Sequence, residues 1–153
     1  MKRLQKALLI FSLFFASGSF ALTTGELFMV RSNQGFPETM SHLQEAIKKQ
    51  GYTLSRVQRV DVGLTKSGFS TDKYRVVFFA KNDELQFLSD NHPEIIPYLP
   101  LKIAIFAENN ETILISTDPS VFIDLYSSAD LQPYFTRWAK DLKMIFEYIQ
   151  YTE

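Results

Sequence analysis

The sequence predicts an α+β, two-layer domain: a mainly antiparallel sheet of about five strands, backed by helices. Three observations carry this. Five short runs are rich in β-branched, aliphatic and aromatic residues and are separated by turn-forming residues. Apolar residues elsewhere, most clearly near the C-terminus, recur with helical period. Adjacent strands are joined by short connections, and strands do not alternate with helices throughout. The order reads β-α-β-β-α-β-β-α-α, which argues against a doubly wound parallel sheet.

The first strand is predicted at residues 26–31, ELFMVR, with apolar residues on both faces. Pro37 suits the first turn of a helix, where a missing N–H costs nothing. Met40, Leu43 and Ile47 then recur at helical spacing, and Gly51 ends that helix as a residue able to adopt positive φ. A second strand is read over residues 54–62 and a third over residues 74–80, YRVVFFA. Asn82 is a good N-cap for a short helix carrying Leu85 and Leu88. His92 is expected to close that helix by donating to its last carbonyls. Pro93, Pro97 and Pro100 predict an irregular, largely extended passage. Residues 101–107, LKIAIFA, and 112–117, TILIST, pair as a hairpin through Glu108-Asn109-Asn110-Glu111. Asp118-Pro119 opens a short helix as N-cap and first helical residue. The last helix runs over residues 133–150, with Phe135, Trp138, Leu142, Ile145, Phe146 and Ile149 as a broad apolar stripe.

Residues 1–21 read as a secretory signal peptide. Lys2, Arg3 and Lys6 form its basic start, ALLIFSLFFA its apolar core, and Ser19 and Ala21 its small-residue exit, with cleavage after Ala21. The apolar run is shorter than the roughly 20 residues a spanning helix needs, and an uncleaved N-terminal anchor is the alternative. The expected product is a periplasmic or secreted chain, residues 22–153, forming one domain. It keeps thirteen basic and seventeen acidic residues, a net charge of −4, which argues against a general nucleic-acid binder. The chain has no cysteine, so disulfides, thiol nucleophiles and zinc-thiolate sites are excluded.

Gly63 to Ser70, GLTKSGFS, has the glycine spacing of a phosphate-binding P-loop, but Phe69 stands at the lysine position. A strand rather than a helix follows, so the stretch is read as the tip of a β-hairpin, its glycines serving positive φ. Around it Arg56, Arg59, Lys66, Lys73 and Arg75 outnumber Asp61 and Asp72. Arg59, Lys66, Ser67, Lys73 and Arg75 are therefore the candidate contact residues for an anionic ligand or an acidic partner surface. No G-x-S-x-G elbow and no H-E-x-x-H is present, and no catalytic residue, cofactor or metal is assigned. His42, with Glu38 and Glu45 nearby on one helix, reads as a surface triple. The alternative to a binding module is a small-molecule carrier or enzyme whose apolar pocket under the sheet is lined by Phe78, Phe106 and Trp138.

MVRSNQGFPETMSHLQEAIKKQGYTL resembles the opening of the domain-of-unknown-function 302 family: a strand ending in Ser, an F-x-E helix and a Gly-aromatic return. PEIIPYLPLKIAIFAENNETILISTDPSVF is similar to the family's second half. The resemblance covers about residues 27–149. It implies a curved antiparallel sheet backed by helices, paired as a homodimer, and it implies no activity.

Overall fold

The computed structural model describes residues 27–152. The expected signal peptide and its cleavage point lie outside the described residues. The elements are β1 (Leu27–Ser32), α1 (Phe36–Lys49), β2 (Thr53–Arg59), α2 (Val60–Lys66), β3 (Tyr74–Ala80), α3 (Asn82–Asn91), β4 (Leu101–Glu108), β5 (Glu111–Thr117), α4 (Val121–Leu125) and α5 (Gln132–Tyr151). A 3-10 helix, Pro93–Tyr98, joins α3 to β4. The strands form one five-stranded sheet in the order β1-β5-β4-β3-β2, with every pair antiparallel. The α+β reading therefore holds.

β1 and β2 lie at opposite edges, so the chain between them, including α1, crosses the whole sheet. Side chains alternate between faces along each strand. Phe28, Val30, Leu114, Ile105, Ile103, Val77 and Phe79 join one core with Leu43 and Ile47 of α1 and Leu142, Ile145 and Ile149 of α5. The alternate set, including Val76, Phe78, Ala104, Phe106 and Ile115, faces the other way and stays outside that core.

α1 ends as its sequence predicts. Gly51 has φ +77°, its N–H donates to Lys48 O at 2.9 Å, and Tyr52 N–H donates to Ile47 O at 3.3 Å. This is the Schellman pattern, with Tyr52 packing back into the core. The β4–β5 turn is also as predicted: Asn109 and Asn110 have φ 49° and 70°, as a two-residue hairpin turn of the primed type requires. Asn110→Val is expected to cost about 1–2 kcal/mol, because a β-branched side chain is strained there, whereas Asn110→Gly is tolerated. Urea midpoints measured for both variants check this; equal midpoints count against it.

Four expectations are corrected. The second strand stops at Arg59, and residues 60–66 form α2 instead of continuing the strand. Its C-terminus repeats the α1 ending: Gly68 has φ +88°, Gly68 N–H donates to Thr65 O at 3.0 Å, and Phe69 N–H donates to Leu64 O at 3.0 Å. GLTKSGFS is thus the end of a helix, not a hairpin tip, and Gly63 lies inside that helix. The proline-rich passage is a 3-10 helix because proline's φ near −65° suits that conformation. It is anchored by Ile95, fully buried. His92 closes α3 through its backbone N–H to Leu88 O at 2.8 Å, while its ring Nδ1 faces Glu94 Oε1 at 3.3 Å. Asn82 and Pro119 sit one or two residues from their expected cap positions. Lys81 precedes α3, and Asp118 accepts from Ser120 N–H at 2.8 Å ahead of α4.

Candidate functional site

α2 is held against the sheet by one ion pair. Asp61, in its first turn, accepts from the Arg75 guanidinium of β3, which also donates to Tyr74 O at 3.0 Å. That bond to Arg75 holds the Asp61 carboxyl below its ordinary pKa, against the opposing effect of desolvation. The Phe36 ring lies under both cations, 5.8 Å from the Arg75 guanidinium carbon and 5.7 Å from Lys73 Nζ.

This docking leaves a shallow concavity of about 430 Å³ between α2 and the loop into β3. It is lined by Asp61, Val62, Thr65, Lys66, Thr71, Asp72 and Lys73. Of the five residues singled out by sequence, Lys66 and Lys73 thus meet at one hollow. Arg75 sits beside it but is committed to Asp61. Ser67 Oγ donates to Gly63 O at 3.2 Å and serves the end of α2. Arg59 stands opposite Arg75 across the β2–β3 ladder, exposed at the start of α2.

A second polar group had no counterpart in the sequence reading. Asp141 of α5, 7% exposed, accepts from Tyr52 OH at 2.8 Å and lies 3.8 Å from Lys81 Nζ. Glu84 accepts from Trp138 Nε1 at 3.2 Å, and its Oε2 lies 2.6 Å from Arg137 Nη2. Lys81 Nζ sits 4.7 Å from the centre of the Tyr52 ring. Burial raises the pKa of the Tyr52 hydroxyl, and its bond to Asp141 raises it further. The cavity beside these groups is only about 10 Å³, about the volume one water centre needs. The cluster therefore has no room for a substrate and works as a polar knot, in which Arg137 Nε is buried without a hydrogen-bond partner among the described residues. One signal for it stood in the sequence: Asp141 falls on the apolar stripe of α5, beside Trp138, Leu142 and Ile145.

The pocket expected around Phe78, Phe106 and Trp138 does not form. Trp138 is buried among the helices, whereas Phe78 and Phe106 point to the opposite face of the sheet. A different groove of about 630 Å³ runs between the β1 edge and α5. Phe28, Val30, Phe146 and Tyr151 line it along with Lys140, Lys143 and Glu147. His42 packs edge-on to Tyr148 at 6.5 Å, away from the Glu94 partner of His92.

A family model described as Domain of unknown function DUF302 matches residues 28–149. No curated protein matches the chain at a significant level. Among solved structures, the crystal structure of an uncharacterized conserved protein DUF302 from Bacillus stearothermophilus is similar, with a TM-score of 0.71 and 20% identity. The match covers 80% of this chain and 97% of that one, and at this identity it speaks for the fold alone. The family model spans most of the chain, and the chain belongs to the domain-of-unknown-function 302 family.

Proposed function

We propose that the protein is an exported binding module, and that it takes an anionic group in the concavity between α2 and the loop into β3. One observation carries this reading. Lys66 and Lys73 line the same hollow with the hydroxyl residues Thr65 and Thr71. Neither lysine forms an ion pair among the described residues, while the Asp61 carboxylate beside them is occupied by Arg75. The two ammonium groups are thus available to an incoming anion, opposed locally by Asp72. Arg59 adds positive field, and Arg75 and Ser67 hold α2 in place. Export rests on the leader-like residues 1–21.

Titration of the labelled chain with inorganic phosphate, and separately with polyglutamate, tests the reading by nuclear magnetic resonance. The expected result is saturable shifts confined to residues 61–73 with one of the two anions. Lys66→Glu with Lys73→Glu should abolish them without changing the rest of the spectrum. Shifts scattered over the surface, or surviving the double reversal, would sink the proposal.

The carrier reading is favoured by one observation, the β1–α5 groove. Its volume lies in the range of small-molecule sites, and its apolar floor is rimmed by Lys140 and Lys143. Native mass spectrometry of the protein recovered from its own envelope fraction separates the readings, since a carrier retains a small molecule.

A further inference from the structure

The two edges of the sheet are not alike. β2, at one edge, has a register shift between Leu54 and Arg56, and Arg56 and Arg59 stand exposed along it. Bulges and charged side chains are devices that blunt an edge strand. β1, at the other edge, pairs with β5 through six consecutive residues without a shift and contains no proline. Its one charged residue, Arg31, is engaged by Glu108 and Glu111 at 3.2 and 3.1 Å. Among the described residues no strand lies on the outer side of β1, so its outward N–H and C=O groups have no ladder partner there.

The groove beside α5 follows this open edge. Phe28, Met29 and Val30 all line it. Consecutive side chains of a strand point to opposite faces, so three in a row border one groove only where it runs along the strand's edge. α5 forms the other wall and runs in the same direction as β1. Phe28 packs on Phe146, with 5.7 Å between ring centres, and Gln34 Nε2, beyond the end of β1, donates to Thr152 O at 2.9 Å. β1 is about 20 Å long and the wall from Lys140 to Tyr151 about 16 Å, the length of an extended segment of about five residues. The rim distinguishes the two ends. Lys143 faces Glu147 at 3.8 Å, and Asp118 Oδ1 accepts from Ser120 N–H. Lys140 is exposed, forms no ion pair among the described residues and stands at the Leu27 end of the groove.

We propose that β1 and α5 take up an extended segment of another protein, which adds to the sheet as a further strand antiparallel to β1 and sets its C-terminal carboxylate at Lys140. Main-chain hydrogen bonds to the open edge hold the segment, and every second side chain drops onto the apolar floor of Phe28, Val30 and Phe146. A free carboxylate meets the one rim cation that lacks a partner, and that contact fixes the direction of the added strand. The occupant is a peptide rather than the small molecule of the carrier reading, and the proposal is independent of anion binding at α2.

Nuclear magnetic resonance on the labelled chain, expressed with its own leader, tests it with a short synthetic peptide of alternating threonine and valine, acetylated at the N-terminus and free at the C-terminus. Saturable shifts are expected at residues 27–32 and 140–151, with slowed amide exchange along β1, and none at residues 61–73. An extended strand turns alternate N–H groups to its neighbour, so N-methylating one alternate set should abolish binding and N-methylating the other should leave it intact. Lys140→Glu, at an exposed position, and amidation of the peptide's C-terminus should each weaken binding about tenfold, the worth of a charge contact of about 1.4 kcal/mol. No saturable shift at about one millimolar peptide overturns the proposal. So do two N-methylated sets that bind equally, or binding indifferent to both changes at the carboxylate end. Signals of β1 that move on dilution without peptide would put a second copy on the edge, and a retained small molecule that the peptide fails to displace would put a small ligand in the groove; either result also overturns it.

Discussion

Phe135→Ala is expected to remove about 3–5 kcal/mol of stability, the range for a fully buried aromatic ring cut to a methyl group. Phe135 has no exposed surface. Its ring lies 5.6 Å from Phe122, 5.9 Å from Tyr126 and 5.8 Å from Trp138, centre to centre. These rings tie α4 and the segment after it to α5. Deleting Phe135 leaves a hollow that its neighbours fill only by leaving their packed rotamers. A domain of this size has roughly 5–15 kcal/mol in total, so the loss is a large share. Urea unfolding measures it as a lower midpoint at unchanged m value. Phe69→Ala is the control: Phe69 is 63% exposed, so its truncation should stay within about 0.5 kcal/mol. A loss below about 1 kcal/mol for Phe135→Ala would mean that the aromatic layer repacks freely.

The second large effect is expected at the polar knot. Asp141→Leu leaves the Tyr52 hydroxyl and the Lys81 ammonium without their carboxylate. Lys81 keeps some contact with water, so the cost is placed at about 2–3 kcal/mol, below that of breaking a fully buried pair. The same contact predicts a pH dependence. The folded pKa of Tyr52 lies above the unfolded value, first through burial and then through the bond to Asp141. Its contribution is therefore complete only well below pH 10, the value at which unfolded tyrosine is half ionised. It is lost as pH rises further, because the unfolded chain releases a proton that the folded chain keeps. The slope reaches at most about 1.4 kcal/mol per pH unit. Comparing the parent protein with Tyr52→Phe between pH 8 and pH 11 isolates this group from the other tyrosines. The parent should lose stability more steeply above pH 10; parallel curves would refute the assignment.

The capping signals show what was legible and what was missed. Gly51-Tyr52 and Gly68-Phe69 carry the same ending, a glycine at positive φ followed by an aromatic residue. The first is legible as a helix end because three apolar residues at helical spacing precede it. The second is not, because Val60 and Val62 also fit strand alternation and α2 has only 7 residues. A single turn or two of helix carries too little periodicity to outvote β-branched residues; its docking through Asp61 and Arg75 decides the matter. The candidate site was legible in part for the same reason. Lys66 and Lys73 are close in sequence, so a local turn brings them together. Tyr52 and Asp141 are joined across 89 residues, a pairing no local pattern announces.

The sequence by itself determined the α+β class, the family, the stripe of α5, the Asn109-Asn110 turn and the Gly51 cap. Each depends on period, composition or backbone preference within a few residues. Only the tertiary structure decided that β1 pairs with β5 and not with β2, that α1 crosses the sheet, and which sheet face joins one core with α1 and α5. A period of two says that a strand has two faces, and β1 is apolar on both. Which face is covered depends on surface buried by helices far along the chain, and that energy belongs to the packed whole rather than to any segment.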